Sequence, residues 1–140
     1  MNVPLERGGA TVSVPRWMFW TGWFLSFMVI AQLLSSAWFR ATHHTDAVAE
    51  IVTAYGYLES AIMRIVIAEC VLVVLYLIPP TSVFAAIVMT GYLGGAVAAH
   101  LRIADSARAA IPVVVGILAW GGLYLRDSRI RQLVPFRRSA

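Results

Sequence analysis

Glu69 is the residue whose type and place in the chain most invite chemistry. It stands near the centre of an apolar run, Ala61 to Ile78, where an ionisable group is costly unless it has a partner or a task. On the following run Tyr92 offers a phenol, and Arg64, His100 and Arg102 add cationic or titratable groups toward one end of the same two runs. These five residues point to a proton-linked or quinone-type binding site. Glu69 or Tyr92 would donate to a carbonyl, with Arg64, His100 and Arg102 around the entrance and open to an anionic substrate or protein. The plainer reading is an interhelical hydrogen bond that only ties helices together, with His100 a helix-end histidine near water.

Several other chemistries find no support. There is no phosphate loop, dinucleotide fingerprint, nucleophile elbow or paired CxxC. Cys70 is the single cysteine, so no intrachain disulfide can form, and its place in an apolar run reads as a buried structural thiol. His43, His44 and Asp46 sit in a polar stretch without the spacing of a defined metal site. No two histidines fall at matching depths on different helices, which speaks against a haem bundle. The expectation is no metal, no intrinsic cofactor, no self-contained catalytic set and no nucleic-acid partner.

The elements that must position these residues follow from composition. With 140 residues, 60% hydrophobic and 13% charged, and a mean hydropathy of +0.77, the chain is too apolar for a soluble domain and requires a lipid bilayer. The expected fold is all-α, an integral membrane four-helix bundle with helices over about 17–39, 61–78, 83–99 and 109–125. The first run would span roughly 34 Å as a helix, and its tryptophans cluster at its ends as interfacial anchors do. Residues 40–60 form the main polar excursion, in which Val48, Ile51, Val52 and Tyr55 recur at the spacing of a short interfacial helix. Pro79-Pro80 ends the second run, and Thr81 or Ser82 offers a hydroxyl cap to the third. The fourth run is the shortest and holds Pro112 in its first turn, where proline is tolerated. Residues 1–15 read as a disordered lead and 127–140 as a basic tail. All eleven basic residues are arginine, and their excess beside the two termini places both termini on the cytoplasmic side.

Counting helical rise from the expected cytoplasmic ends puts Glu69 about 14 Å deep, near the midplane. Ser26, Thr90 to Tyr92 and Gly116 fall at a similar level, so Tyr92, Thr90, Ser26 or a trapped water are the candidate partners. With only neutral partners, burial would keep Glu69 largely protonated. His100 lies about 12 Å further out, in an upper tier with Arg64, Gln32, Ser35, Ser36 and Arg102. Gly91, Gly95 and Ala99 make a small-residue stripe suited to close helix packing, and Gly116, Gly121 and Gly122 can do the same on the fourth helix.

The segments Tyr76 to Pro80, Gly91 to Arg102 and Trp120 to Asp127 resemble the DoxX-like family of small bacterial four-helix membrane proteins. The likeness runs from about Gly56 to Pro135. The first helix departs from the family pattern, since Phe27, Met28 and Gln32 stand where a small-residue motif ending in lysine is usual. The resemblance implies a multi-pass protein of the bacterial cytoplasmic membrane, a membrane subunit or quinone-binding partner of a redox system. It implies an oxidoreductase partner that would carry the redox centre, and leaves open a homo-oligomer. A proton-linked transporter of a small solute and a structural or assembly protein are the alternatives.

Overall fold

The computed structural model describes residues 15–133, all of whose regular structure is helical. It contains α1 (Arg16–Thr42), α2 (His44–Val48), a short π-helix (Ala49–Ala54), α3 (Ser60–Leu77), α4 (Ser82–Arg102), α5 (Ser106–Arg126) and α6 (Ser128–Leu133). Four of them, α1, α3, α4 and α5, are long and apolar enough to cross a membrane. The expected lead, up to residue 14, and Arg137 and Arg138 of the tail lie outside the described residues. The tail begins as α6, whose Ile130 is buried in the core.

The four long helices form a closed ring in the order α1, α3, α4, α5, with α5 packed back on α1. Neighbours run antiparallel: Ser26 and Ser36 of α1 meet Tyr76 and Glu69 of α3, and Thr90 of α4 meets Trp120 of α5. The polarity of the fold is that of a membrane protein. Phe24, Phe27, Ile67, Val74, Phe84 and Ile117 are exposed on the outside, while Ser26 and Glu69 are sealed within. Cys70 is exposed on the outer surface of α3, and not buried as its apolar surroundings suggested.

The double proline at the α3–α4 turn creates a specific debt in hydrogen bonding. Pro79 and Pro80 cannot donate to the carbonyls of Leu75 and Tyr76, four residues earlier. Thr81 Oγ1 donates to the Leu75 oxygen at 2.7 Å, and Arg126 Nη2 donates to the Tyr76 oxygen at 2.8 Å. The Thr81 and Ser82 hydroxyls therefore bond back to preceding carbonyls, and neither caps α4 as expected. Arg126 is further held between the rings of Trp23 and Tyr76, 4.7 and 4.6 Å from their centroids.

Asp105 caps α5 by accepting from the Arg108 amide at 3.0 Å. The helix thus starts earlier than its apolar run, and Pro112 lies in its second turn, not its first. At 21 residues α5 is not the shortest span; that is α3, with 18.

Close helix approach within the chain is found at Gly122, one of the small residues singled out on the fourth helix, where it meets Gly22 of α1, and not along the α4 stripe. A Cβ on Gly22 would lie 2.8 Å from the Arg126 amide and 2.9 Å from the Gly122 oxygen, so α1 and α5 meet backbone to backbone there. A Cβ on Gly91 or Gly95 would meet nothing within 4 Å, and one on Gly116 would make an ordinary contact with Leu93 at 3.6 Å. The stripe on α4 is open space within this chain. Accordingly, Gly22→Val is expected to destabilise the purified protein in mild detergent by about 1–3 kcal/mol through overpacking, whereas Gly91→Ala is expected to be neutral or stabilising by up to about 1 kcal/mol. Thermal melts of the two variants beside the parent check this, and equal losses would contradict it.

Candidate functional site

Glu69 is 2% exposed and receives every hydrogen bond it makes. Its Oε1 accepts from Tyr92 OH at 2.6 Å, from Ser36 Oγ at 3.1 Å and from Arg40 Nη1 at 2.9 Å, and its Oε2 accepts from the same Nη1 at 2.9 Å. Arg40 Nη1 also donates to Ser36 Oγ. Three helices thus converge on one carboxyl group: α1 supplies Ser36 and Arg40 one turn apart, α3 supplies Glu69, and α4 supplies Tyr92. A group that only accepts, from one cation and two hydroxyls, is suited by the ionised carboxylate. The expectation of wholly neutral partners is not met.

Above this cluster a second one closes the end of the bundle that carries His100. Tyr55 OH lies 2.9 Å from His100 Nδ1 and donates to Glu50 Oε1 at 3.3 Å, and Arg108 Nη1 reaches the same Glu50 oxygen at 3.3 Å. The Tyr55 phenol is pushed above its ordinary pKa, first by burial and then by the Glu50 carboxylate, so it stays a neutral hydroxyl through the physiological range. Between the two clusters lies a chamber of about 220 Å³, lined among others by Glu50, Glu69, Arg40, Arg108, Tyr92 and His100. His100 and Glu69 make no direct contact, as the depth count required, yet they share this chamber.

A larger cavity of about 440 Å³ lies on the other side of Arg40, as a groove between α3 and α4. Ala61, Ala68, Gly91, Gly95, Ala96 and Ala99 are among its apolar walls, and Arg40, Arg64, Tyr55, Tyr57, Tyr92 and His100 supply its polar groups. The α4 stripe read as a packing surface is therefore the floor of a groove. Arg40, Tyr92 and His100 border both cavities. Arg102 stands beside it, 5.8 Å from the centroid of the Tyr57 ring.

Of the residues singled out from the sequence, Glu69 and Tyr92 are bonded to each other, and Tyr92, Arg64 and His100 border the groove, whereas Glu69 borders only the chamber. Arg102 flanks the groove. Ser26 and Thr90 belong elsewhere: Ser26 Oγ lies 3.3 Å from Tyr76 OH, and Thr90 Oγ1 accepts from Trp120 Nε1 at 3.0 Å. The level of Glu69 on α1 is that of Ser36, because α1 is 27 residues long and its lower end overhangs the bundle. Arg40, assigned from composition to the polar loop, is on the last turns of α1. Its spacing of four from Ser36 was the available signal, since that step places both on one helix face. Glu50, Tyr55 and Arg108 were missed as a group because Glu50 and Tyr55 come from the short π-helix and its end, and Arg108 from the start of α5, far away in sequence.

Comparison with known proteins adds one positive result. A family model described as the DoxX-like family matches residues 24–122. Neither the curated proteins nor the solved structures contain a match.

Replacing Arg40 by Met leaves Glu69 as a buried charge without its cation and is expected to cost about 3–5 kcal/mol of stability. Combining Arg40→Met with Glu69→Leu removes both charges and is expected to recover most of that loss. Denaturation in mixed micelles of the two single variants and the double one measures the coupling; additive losses would show that the pair does not act as a unit.

Proposed function

The chain belongs to the DoxX-like family and is a multi-pass integral membrane protein, and from that premise we propose that it serves a redox system as a membrane subunit or lipophile-binding partner. The observation that carries this reading is the α3–α4 groove, which has small apolar walls and ends on Arg40, Tyr92 and His100 beside the buried Glu69. A quinone is the first candidate for the lipophile. Its ring carbonyls are acceptors, and the polar lining offers guanidinium, imidazole and phenol donors to meet them. When bound, a quinone would supply the two-electron chemistry for which this chain carries no motif. The chain's own part is to bind the head, orient it through Tyr92 and His100, and keep lipid and bulk water from the Arg40–Glu69 pair. The redox centre belongs to a partner protein, and the setting is the bacterial cytoplasmic membrane with both termini inward.

A solute pathway through a single chain is supported less well. Below Glu69 the bundle is filled by Val29, Val73, Ala86, Met89, Ala119 and Leu123, all buried and apolar. A route for a polar solute would need a second copy of the chain to build it. A purely structural role leaves unexplained a groove that the small residues of α4 keep open.

Equilibrium binding of a short-chain quinone analogue to the protein in mild detergent tests the proposal. Glu69→Gln frees Arg40 and weakens the hold on Tyr92, and is expected to weaken the analogue by about tenfold, equivalent to ~1.4 kcal/mol. Unchanged affinity together with unchanged quinone reduction in membranes would remove the case.

A further inference from the structure

The groove between α3 and α4 has an unbalanced polar lining. Arg40, Arg64 and His100 border it together with the hydroxyls of Tyr55, Tyr57 and Tyr92, and no aspartate or glutamate does. The neighbouring chamber is different: there Arg40 and Arg108 are matched by Glu69 and Glu50. Of the two groove arginines, Arg40 engages Glu69 through Nη1 alone, and a guanidinium carries five N–H groups. Arg64 stands exposed on α3, five residues above Glu69 toward the His100 end. A neutral head satisfies the donors there but leaves the charge of Arg64 without a counter-charge among the described residues lining the groove. An anionic oxygen head satisfies both.

The apolar part of the groove fits a single chain. Gly91 and Gly95 are exposed and a Cβ on either meets nothing, so the floor is open to the bilayer along one side of α4. We propose that this groove selects a single-chain amphiphile with an anionic oxygen head, a long-chain carboxylate, over neutral lipophiles of the same length. The head lies between the guanidinium groups of Arg64 and Arg40 at the His100 end of the groove, and the chain runs over Gly95 and Gly91 toward the midplane. This deepens the reading of the groove as a lipophile site by naming the charge of its preferred ligand, and it rests on that reading.

The test uses the full-length protein in nanodiscs of neutral phosphatidylcholine, titrated with hexadecanoate, hexadecanol and a short-chain ubiquinone analogue, with bound stoichiometry read by native mass spectrometry. Hexadecanoate is expected to bind one per groove, at least about tenfold more tightly than hexadecanol, as a hydrogen-bonded charge requires. Arg64→Gln, at an exposed position, is expected to remove most of that preference. Gly95→Leu fills the floor without touching the core, and is expected to abolish binding of all three probes while the melting temperature holds. Equal affinity for hexadecanoate and hexadecanol, or no response to either substitution, overturns the proposal. If the ubiquinone analogue binds and the carboxylate is not preferred, the charge selection falls while the lipophile site stands; if none of the three binds, both fall. A Gly95→Leu protein that keeps its ligands but changes its oligomeric state would assign the groove to a second copy of the chain, and would likewise overturn it.

Discussion

The Arg40–Glu69 pair is the constraint around which the rest of the bundle is arranged. A carboxylate 2% exposed inside a membrane bundle is tolerable only when its oxygens are matched. Matching them takes one residue from α4 and two from α1, so the registers of three helices are set by one side chain. The match has a residual cost. Arg40 Nε is buried without a hydrogen-bond partner among the described residues, so the guanidinium is placed for Glu69 and Ser36 and not for its own full satisfaction. Such a cost is easier to understand where charge has a use than where it only joins helices, since an apolar contact would join them more cheaply.

The opposite end of the bundle is fixed by backbone chemistry. Two adjacent prolines turn the chain tightly between α3 and α4 and strip two carbonyls of their helical donors. Arg126 answers one of them from α5, sandwiched between Trp23 of α1 and Tyr76 of α3. Ser26 and Tyr76 add a second tie, with Tyr76 OH donating to the Ala119 oxygen at 2.8 Å. The glycine contact of α1 with α5 lies in the same layer. The lower end is thus tied by backbone-directed bonds around a pocket of about 440 Å³ lined by Trp23, Pro80, Arg126 and Asp127 among others, while the Glu69 chamber and the α3–α4 groove lie at the upper end.

The architecture was legible in the sequence because lipid allows few alternatives: four runs of sufficient length must become helices. Glu69 and its bond to Tyr92 were legible too, since the depths of two helices joined by a tight turn can be counted reliably. The depth of α1 could not be counted. Its lower end carries Trp17, Trp20 and Trp23 over two turns, any of which could mark the interface, and the choice shifts the whole helix. That shift put Ser26 where Ser36 belongs and hid Arg40. That the glycine stripe on α4 is not a packing surface within this chain escaped the sequence for a related reason. Small residues permit close packing and permit an empty groove, and only the position of the neighbouring helix distinguishes the two.

That groove exists although α3 and α4 are joined by a tight turn over 78–81 that includes both prolines. The turn holds their lower ends together, but along their upper halves the facing residues are Ala61, Ala68, Gly91, Gly95 and Ala99, too small to fill the space between two helices. Tight packing is found instead between α1 and α5, the helices most distant in sequence. Because Arg40, Tyr92 and His100 border both the groove and the chamber, the groove reaches two of the donors that hold Glu69, namely Arg40 and Tyr92, and also His100, which meets the Tyr55 hydroxyl bonded to Glu50.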